Sequence, residues 1–524
     1  MSDKITLGNL KARCRFPIVT LQQCHIHAKC SEHTEAEITC TVKGNETRAA
    51  ISGTAEDELE IVSIEQDGKE EILFSGVIRR VELAEEGNYA VLRLWAVSNT
   101  WKMDIERKSR SFQDLSQTYR KVAETVLGDY QGRLVWNLPD QQLVHPLIQY
   151  KETDYCFLKR ILSYMGACMI AEDSKAGIVI HAGMRRGIHK GNLDIDRYTH
   201  SIIRQDSRSG ERMNLEMQPT GYMLHDMDFM RTGDVLRIRG GEFYAMEAET
   251  AFIHNALSCT CRVFPQQCFK QEKIPAETLK GAVLTGKILE TGQELVKMHL
   301  AIDKEQSPEK AFKFQWKPIT GNLFYCMPEA GTKAALYFGR TCEDSASVIY
   351  NIRENGEECG ELADHHNRYF TTKNDKRMYL KPSEMGLLNM TGRNAEIALK
   401  DDSIVQVKTE HQISVLAEGR VELKGRNVTI TAPKEATLVR KDMLSPTVIN
   451  LCNDFDAIGR KGNFAASVPI EEKKRRTPGK GIWEERYPLD GGIMSAILSN
   501  IPTDGGGDPV MDRIAGSMPV IIAR

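Results

Sequence analysis

The sequence predicts a mainly β protein with one small α/β insert. Three observations predict it. Short runs of alternating apolar and polar residues recur along most of the chain, and such alternation puts one side of a strand inward. The apolar spacing changes to three or four only between Ser111 and Gly166, which marks the insert. The third observation is the stretch Asn394 to Ala432. There the apolar pairs Ile397/Leu399, Val405/Val407, Ile413/Val415, Val421/Leu423 and Val428/Ile430 recur at an interval close to eight. A repeat this short brings about two inward residues per rung and cannot enclose a core alone. It fits a β-helical or β-prism needle shared by several chains, or an antiparallel meander on a larger sheet.

Taken in order, the first hundred residues read as strands at Ile18–Leu21, Glu37–Val42, Glu58–Ile64, Ile72–Val81 and Tyr89–Ala96. Turn residues separate them (Lys43-Gly44-Asn45, Gln66-Asp67-Gly68, Glu86-Gly87-Asn88), which suits a small barrel or sandwich. From Ser111 the residues Phe112, Leu115, Tyr119, Val122 and Val126 form one helix face, closed by Gly128. A second helix starts with Thr153 as N-cap, runs through Tyr155, Phe157, Leu158, Ile161, Leu162 and Met165, and stops at Gly166. Val144 to Gln149 reads as a strand between them, and Ala167–Ala171 with Gly177–His181 as a hairpin. Strands return from about 200 to 270, with Val235–Ile238 paired to Tyr244–Met246 across Gly240-Gly241, and build a second barrel like the first. Five strands between Gly281 and Ile352 fit an OB-type barrel. His365 to Leu380 leads into the repeat. After Asp442 the pattern decays into a charged segment (470–480) and short apolar patches at Ile493–Leu498 and Met518–Ile522.

With 27% charged and 41% hydrophobic residues in 524, the composition is that of a globular chain of several domains. A net charge of −3 gives no general attraction to nucleic acid or acidic membrane. The N-terminal residues lack the apolar core of a signal peptide, and no run reaches the length of a membrane helix. The 13 cysteines show no disulfide framework and read as reduced thiols. Cys259, Cys261 and Cys268 lack a fourth ligand and read as buried thiols rather than a metal cluster.

Enzyme signatures are missing: no GxSxG, HExxH, Walker A or GxGxxG stands in its proper context, and Gly233 and Gly240-Gly241 are turn glycines. The acid runs Glu82/Glu85/Glu86 and Glu354/Glu357/Glu358 read as surface charge. His365-His366 is the best metal candidate. Adjacent strand residues point to opposite faces, so a shared ion needs one His from each of three chains on an axis, and two loop histidines are the plainer reading. Phe312, Phe314 and Trp316, interleaved with Lys313 and Lys317 and preceded by Lys310, form an aromatic stripe: a stacking platform or core. No catalytic, cofactor-binding or metal residue is assigned.

Several strings resemble the VgrG-type spike proteins of contractile injection systems, which fuse a phage-tail hub to a spike. Leu73-Phe74-Ser75-Gly76-Val77-Ile78 with Tyr89–Leu94 resembles a strand pair of that family. Ser109–Asp114 resembles its S-R-x-F-Q-x string. Gln149–Arg160 with Gly166 resembles Q-Y-x-E-S-D-x-x-F-L-x-R-x-x-E-x-x-G, with Ser163 where the family carries Glu. Pro328–Thr332 and Val348–Asn351 resemble its OB domain. The resemblance implies a first hub β-barrel (1–110), a helical insert (111–185), a second hub β-barrel (186–275), an OB-fold (279–355), a trimeric needle (365–445) and a C-terminal extension for a tip or cargo (446–524). It implies a homotrimer with no enzyme activity and no cofactor, made in the bacterial cytoplasm. Its expected partners are a tail-tube protein, baseplate proteins and a PAAR-like tip or effector protein, within a particle that contacts a target envelope mechanically. A trimeric tailspike-like glycan hydrolase and an OB-type ligand-binding scaffold are the alternatives.

Overall fold

Alternation in the first hundred residues builds long antiparallel strands. Leu10–Arg13 (β1), Ile18–Lys29 (β2), Glu35–Lys43 (β3), Glu58–Ile64 (β4), Glu70–Glu86 (β5) and Tyr89–Ser98 (β6) pair in the order β1-β4-β5-β6-β3-β2. They come from a computed structural model that describes residues 5–458 apart from 44–56, 66, 87–88, 186, 205–219, 254, 322–325, 355–358, 432–435, 441–446 and 452–454. Gly76 in β5 is required by a close approach. A Cβ there would meet the carbonyl oxygen of Val97 at 2.3 Å and the Phe74 ring at 2.6 Å. The turn residues Gly44, Asn45, Gln66, Gly87 and Asn88, the acids Glu357 and Glu358, and everything after residue 458 lie outside the described residues.

The insert follows. Arg107–Phe112 (β7) pairs antiparallel with Leu147–Thr153 (β9). Helix α1 spans Tyr119–Gly128 and helix α2 spans Asp154–Tyr164. Arg133–Trp136 (β8), Met169–Ala171 (β10) and Val179–Ala182 (β11) form a small sheet in the order β10-β11-β8. The expected helix start at Ser111 is corrected here. Phe112 has helical spacing to Leu115 and Tyr119, but ladder bonds to β9 hold it in a strand, and Thr118 caps the helix by accepting from the Lys121 amide. The second helix has its expected ends. Thr153 accepts from the Cys156 amide at 3.3 Å, and Gly166 takes a φ of 65° after it. The hairpin expected after it is β10 with β11.

His189–Leu193 (β12), His200–Arg204 (β13), Thr220–Met227 (β14), Val235–Ile238 (β15), Gly241–Ile253 (β16) and Ala256–Phe264 (β17) complete a 12-stranded sheet with β1–β6. The two predicted barrels are therefore parts of one sheet, joined where β16 runs antiparallel to β2, with Glu249 opposite His27. Each part keeps its own core. Ile38, Leu59, Phe74, Leu92 and Leu94 pack in the first, and Leu224, Leu236, Cys259, Cys261 and Val263 in the second. Cys259 and Cys261 are thus core thiols, while Cys268 belongs to a separate cluster with Cys168 and Phe269.

Val283–Gly292 (β18), Leu295–Leu300 (β19), Lys313–Trp316 (β20), Lys333–Phe338 (β21) and Ala346–Ile352 (β22) close into a barrel in the order β18-β19-β20-β22-β21, with β20 and β22 parallel. Phe314 is in its core, Phe312 and Trp316 pack against it, and Trp316 donates Nε1–H to the Cys326 carbonyl at 3.0 Å. The aromatic stripe is therefore core.

A second compact unit begins at Asn355. Arg368–Thr371 (β23), Lys376–Lys381 (β24), Glu384–Asn389 (β25), Ala395–Lys400 (β26) and Ile404–Thr409 (β27) form an antiparallel meander in chain order. Only the first two rungs of the repeat form strands in this sheet. Residues 412–431 carry no strand, a correction to the three further rungs expected there, which find no ladder partner among the described residues. Ala436–Arg440 (β28), Thr447–Leu451 (β29) and Phe455–Ile458 (β30) form a further small sheet. It spans position 445, where the sequence places the end of the needle. Among the described residues no helix is long and apolar enough to cross a membrane.

Candidate assembly face

Alternation in β24 to β27 sorts side chains cleanly between the two faces of the meander. On one face Met378, Leu387, Ile397 and Val407 stand directly opposite one another across the four strands. Two residues along each strand, Leu380, Met385, Leu399 and Val405 form a second row. All eight are exposed, Leu387 by 56% and Val405 by 69%. A water-facing apolar grid of this regularity marks an interaction surface.

The opposite face is partly closed by its own side chains, with Ile404, Gln406 and Lys408 exposed on its last strand. Tyr379 lies across Gly386, is 2% exposed, and donates its hydroxyl to Glu396 Oε1 at 2.6 Å. The ring needs that glycine. A Cβ at 386 would meet the Ile397 carbonyl oxygen at 2.5 Å and the Tyr379 hydroxyl at 2.7 Å. Ala398, the next residue in the same row, is also buried. The following segment repeats the exposure without strands: Ile413, Val415, Val421, Leu423, Val428 and Ile430 all face water, and Leu416 is 91% exposed.

In the first unit the two resembling strings converge on buried ionic clusters that fasten the insert in place. Asp154 is fully buried. It accepts from Arg110 Nη2 at 2.5 Å, Gln149 Nε2 at 2.8 Å and Tyr130 Oη at 2.7 Å, and pairs with Lys108 at 2.8 Å. Its carboxylate therefore serves this cluster, and Thr153 alone supplies the side-chain cap expected of the helix start. Burial opposes the Lys108 charge, but Asp154 and Asp129 outweigh it and hold its pKa above the usual lysine value.

Arg160 from the same string is 1% exposed and uses all five of its donors. They go to Glu152 through Nε at 3.1 Å and Nη2 at 2.9 Å, to Glu343 and Tyr164 through Nη1 at 2.5 Å each, and to the Ile148 carbonyl through Nη2 at 2.9 Å. Glu343 belongs to the turn before β22, so this cluster ties α2 to the barrel. Ser111 and Gln113, from the S-R-x-F-Q string, make a second tie. The Ser111 amide and hydroxyl donate to Asp303 at 2.6 and 2.5 Å, and the Phe312 amide donates to Gln113 at 3.2 Å. A third cluster centres on Arg231, between β14 and β15. It donates to Asp173 at 2.7 Å and to the Leu73 carbonyl at 3.0 Å, while Thr34 donates to Asp173 at 3.0 Å. Ionisable groups so placed can look like chemistry, but each faces a partner from its own fold rather than an open cleft. The sequence reading carried Arg160 only as a letter of a matched string and missed Glu343 and Arg231, which stand in no such string and had no signal.

His365 and His366 lie in a turn just before β23, the plainer of the two readings of the sequence. Their rings lie with centroids 3.8 Å apart, tilted by 39°, and His366 Nδ1 is 3.0 Å from Asp364 Oδ1. The acid runs behave as surface charge: Glu82 pairs with Arg80, and Glu354 with Lys333 at 2.6 Å.

Residues 34–246 match the profile of a family described as the phage tail baseplate hub. No curated relative matches the sequence. Among solved structures, a chain of the Francisella PdpA–VgrG complex in its lidded form aligns with a TM-score of 0.51 at 8% identity, covering 74% of this chain and 76% of that one. In the lidless form of a PdpA–VgrG complex the TM-score is 0.51 at 7% identity, covering 74% and 93%. An E. coli type VI secretion component, c3393, described as similar to the T4 tail proteins gp27 and gp5, aligns at 13% identity with a TM-score of 0.49, covering 66% and 100%. At these identities the likeness is one of fold: mainly β, of the kind found in hub and tail proteins.

Proposed function

We infer that the chain is a structural hub and spike of a contractile injection machine, working as a homotrimer with no catalytic site of its own. The family profile over residues 34–246 supports the hub. The single observation that carries the spike is the eight-residue apolar face of β24–β27, continued by the exposed apolar residues up to Ile430. Among the described residues nothing lies on that face, and two further copies would supply like surfaces and strand partners for residues 412–431. On this reading the proposed domains run 1–110 and 186–275 for two hub barrels, 111–185 for the insert, 279–355 for an OB-type collar, 365–445 for the needle and 446–524 for a tip- or cargo-docking extension. The hub meets the tail tube and baseplate proteins, the extension holds a PAAR-like tip or effector, and the particle, assembled from protein made in the bacterial cytoplasm, drives the needle into a target envelope.

Solution mass tests the reading. Sedimentation equilibrium of the full chain should give three times 59.0 kDa. A stable monomer at micromolar concentration would overturn it.

A further inference from the structure

Asp364, His365 and His366 occupy a short turn just before β23. One ligand atom from each lies within 4.8 Å of the others, and no other set of three such side chains does so among the described residues. Two imidazoles with centroids 3.8 Å apart, tilted by 39°, beside a carboxylate at 3.0 Å from one of them bring three donors together at the turn. Tetrahedral coordination at about 2.0–2.2 Å requires donors about 3.3–3.5 Å apart. Small rotations of exposed side chains cover the difference. Asp364 is oriented by its neighbours: Oδ1 accepts the His366 amide at 3.0 Å and Oδ2 accepts from Asn367 at 3.1 Å. The nearby Glu361 is paired with Arg377, which leaves the fourth position to water.

We propose that this turn binds one borderline divalent transition-metal ion per chain, of the zinc, nickel or cobalt class, through Asp364, His365 and His366. Imidazole nitrogen with one carboxylate oxygen suits these ions and is poor for magnesium or calcium. The site needs no second chain, so it stands or falls separately from the trimer.

The test uses the full-length protein with zinc alone and with cobalt alone, followed by calorimetry and by cobalt absorption. One ion per chain is expected, with D364A, H365A and H366A each weakening zinc by about tenfold or more. H411A, an exposed histidine elsewhere, serves as the control and should bind as the parent does. Apo melting temperatures of the three variants should equal the parent's, because the turn is exposed. Binding that is unchanged in all three variants, one ion per three chains, or no saturable binding would each overturn the proposal.

Discussion

The unit that ends at Glu354 and the unit that begins at Asn355 treat polarity in opposite ways. The first buries charge and satisfies it: Arg160 spends five donors on partners from its own chain, and Asp154 collects four. The second leaves apolar residues in water, in two straight rows. Both have regular strands, so the contrast is not one of order. It is one of completeness. The first unit pairs its deepest charges within itself, while the second carries apolar surface that no described residue covers.

The largest expected effect is on the open face. Leu387→Asp puts a charge in the middle of the first row, where burial against another copy would otherwise contribute about 1.5–3 kcal/mol per large apolar side chain. With the change present in each of three copies, association should weaken by about ten-thousandfold or more, read as a shift of mass toward the monomer, with the thermal transition of the first unit unmoved. If mass stays unchanged, the contrast between the units loses its functional meaning.

An intermediate effect belongs to the closed unit. Glu343→Ala strands a buried guanidinium and should cost about 3–5 kcal/mol in denaturant unfolding. The double variant Arg160→Met/Glu343→Leu should recover most of that loss, since it removes both charges together. Neither change should alter the oligomeric mass, which separates fastening within the chain from assembly between chains.

The smallest effect is pH-dependent. Burial pushes the Glu172 carboxyl up, but hydrogen bonds from His181 and Ser174 and the charges of Arg185 and His181 outweigh it, holding it well below its usual 4.5. A depressed folded value means the stabilisation is fully present above about pH 4.5 and is lost as pH falls through the lower folded value. Glu172→Gln should therefore cost about 1.5–3 kcal/mol at neutral pH. The two proteins should converge in acid titrations followed by circular dichroism. A constant gap down to the lowest pH would show that packing, not ionisation, holds that corner.

Helix α2 was legible in the sequence because its information is local: Thr153 before it, Gly166 after it and one apolar face between. The strands at Val235–Ile238 and Tyr244–Met246 were legible for the same reason, with Gly240-Gly241 between them. The start of α1 was not, because Phe112 answers to β9, a strand some forty residues on, rather than to its neighbours. The pair Arg160–Glu343 is separated by 183 residues and Ser111–Asp303 by 192, and nothing in a single sequence joins such positions. The apolar rows themselves were read correctly as alternation. Which rungs form strands depends on ladder partners, and alternation alone does not name them.

Tyr379 lying over Gly386 has a consequence for growth. A sheet with two sticky sides can be layered without limit, as in a fibre. Here Tyr379, bonded to Glu396, fills the middle of one side, and the two apolar rows stand on the other. Such a subunit runs out of adhesive surface once its single open side is used, and its heterologous contacts would end in a ring where the rotation between copies closes. Removing the Tyr379 ring, rather than strengthening the open face, is the change that would turn a finite assembly into an endless one.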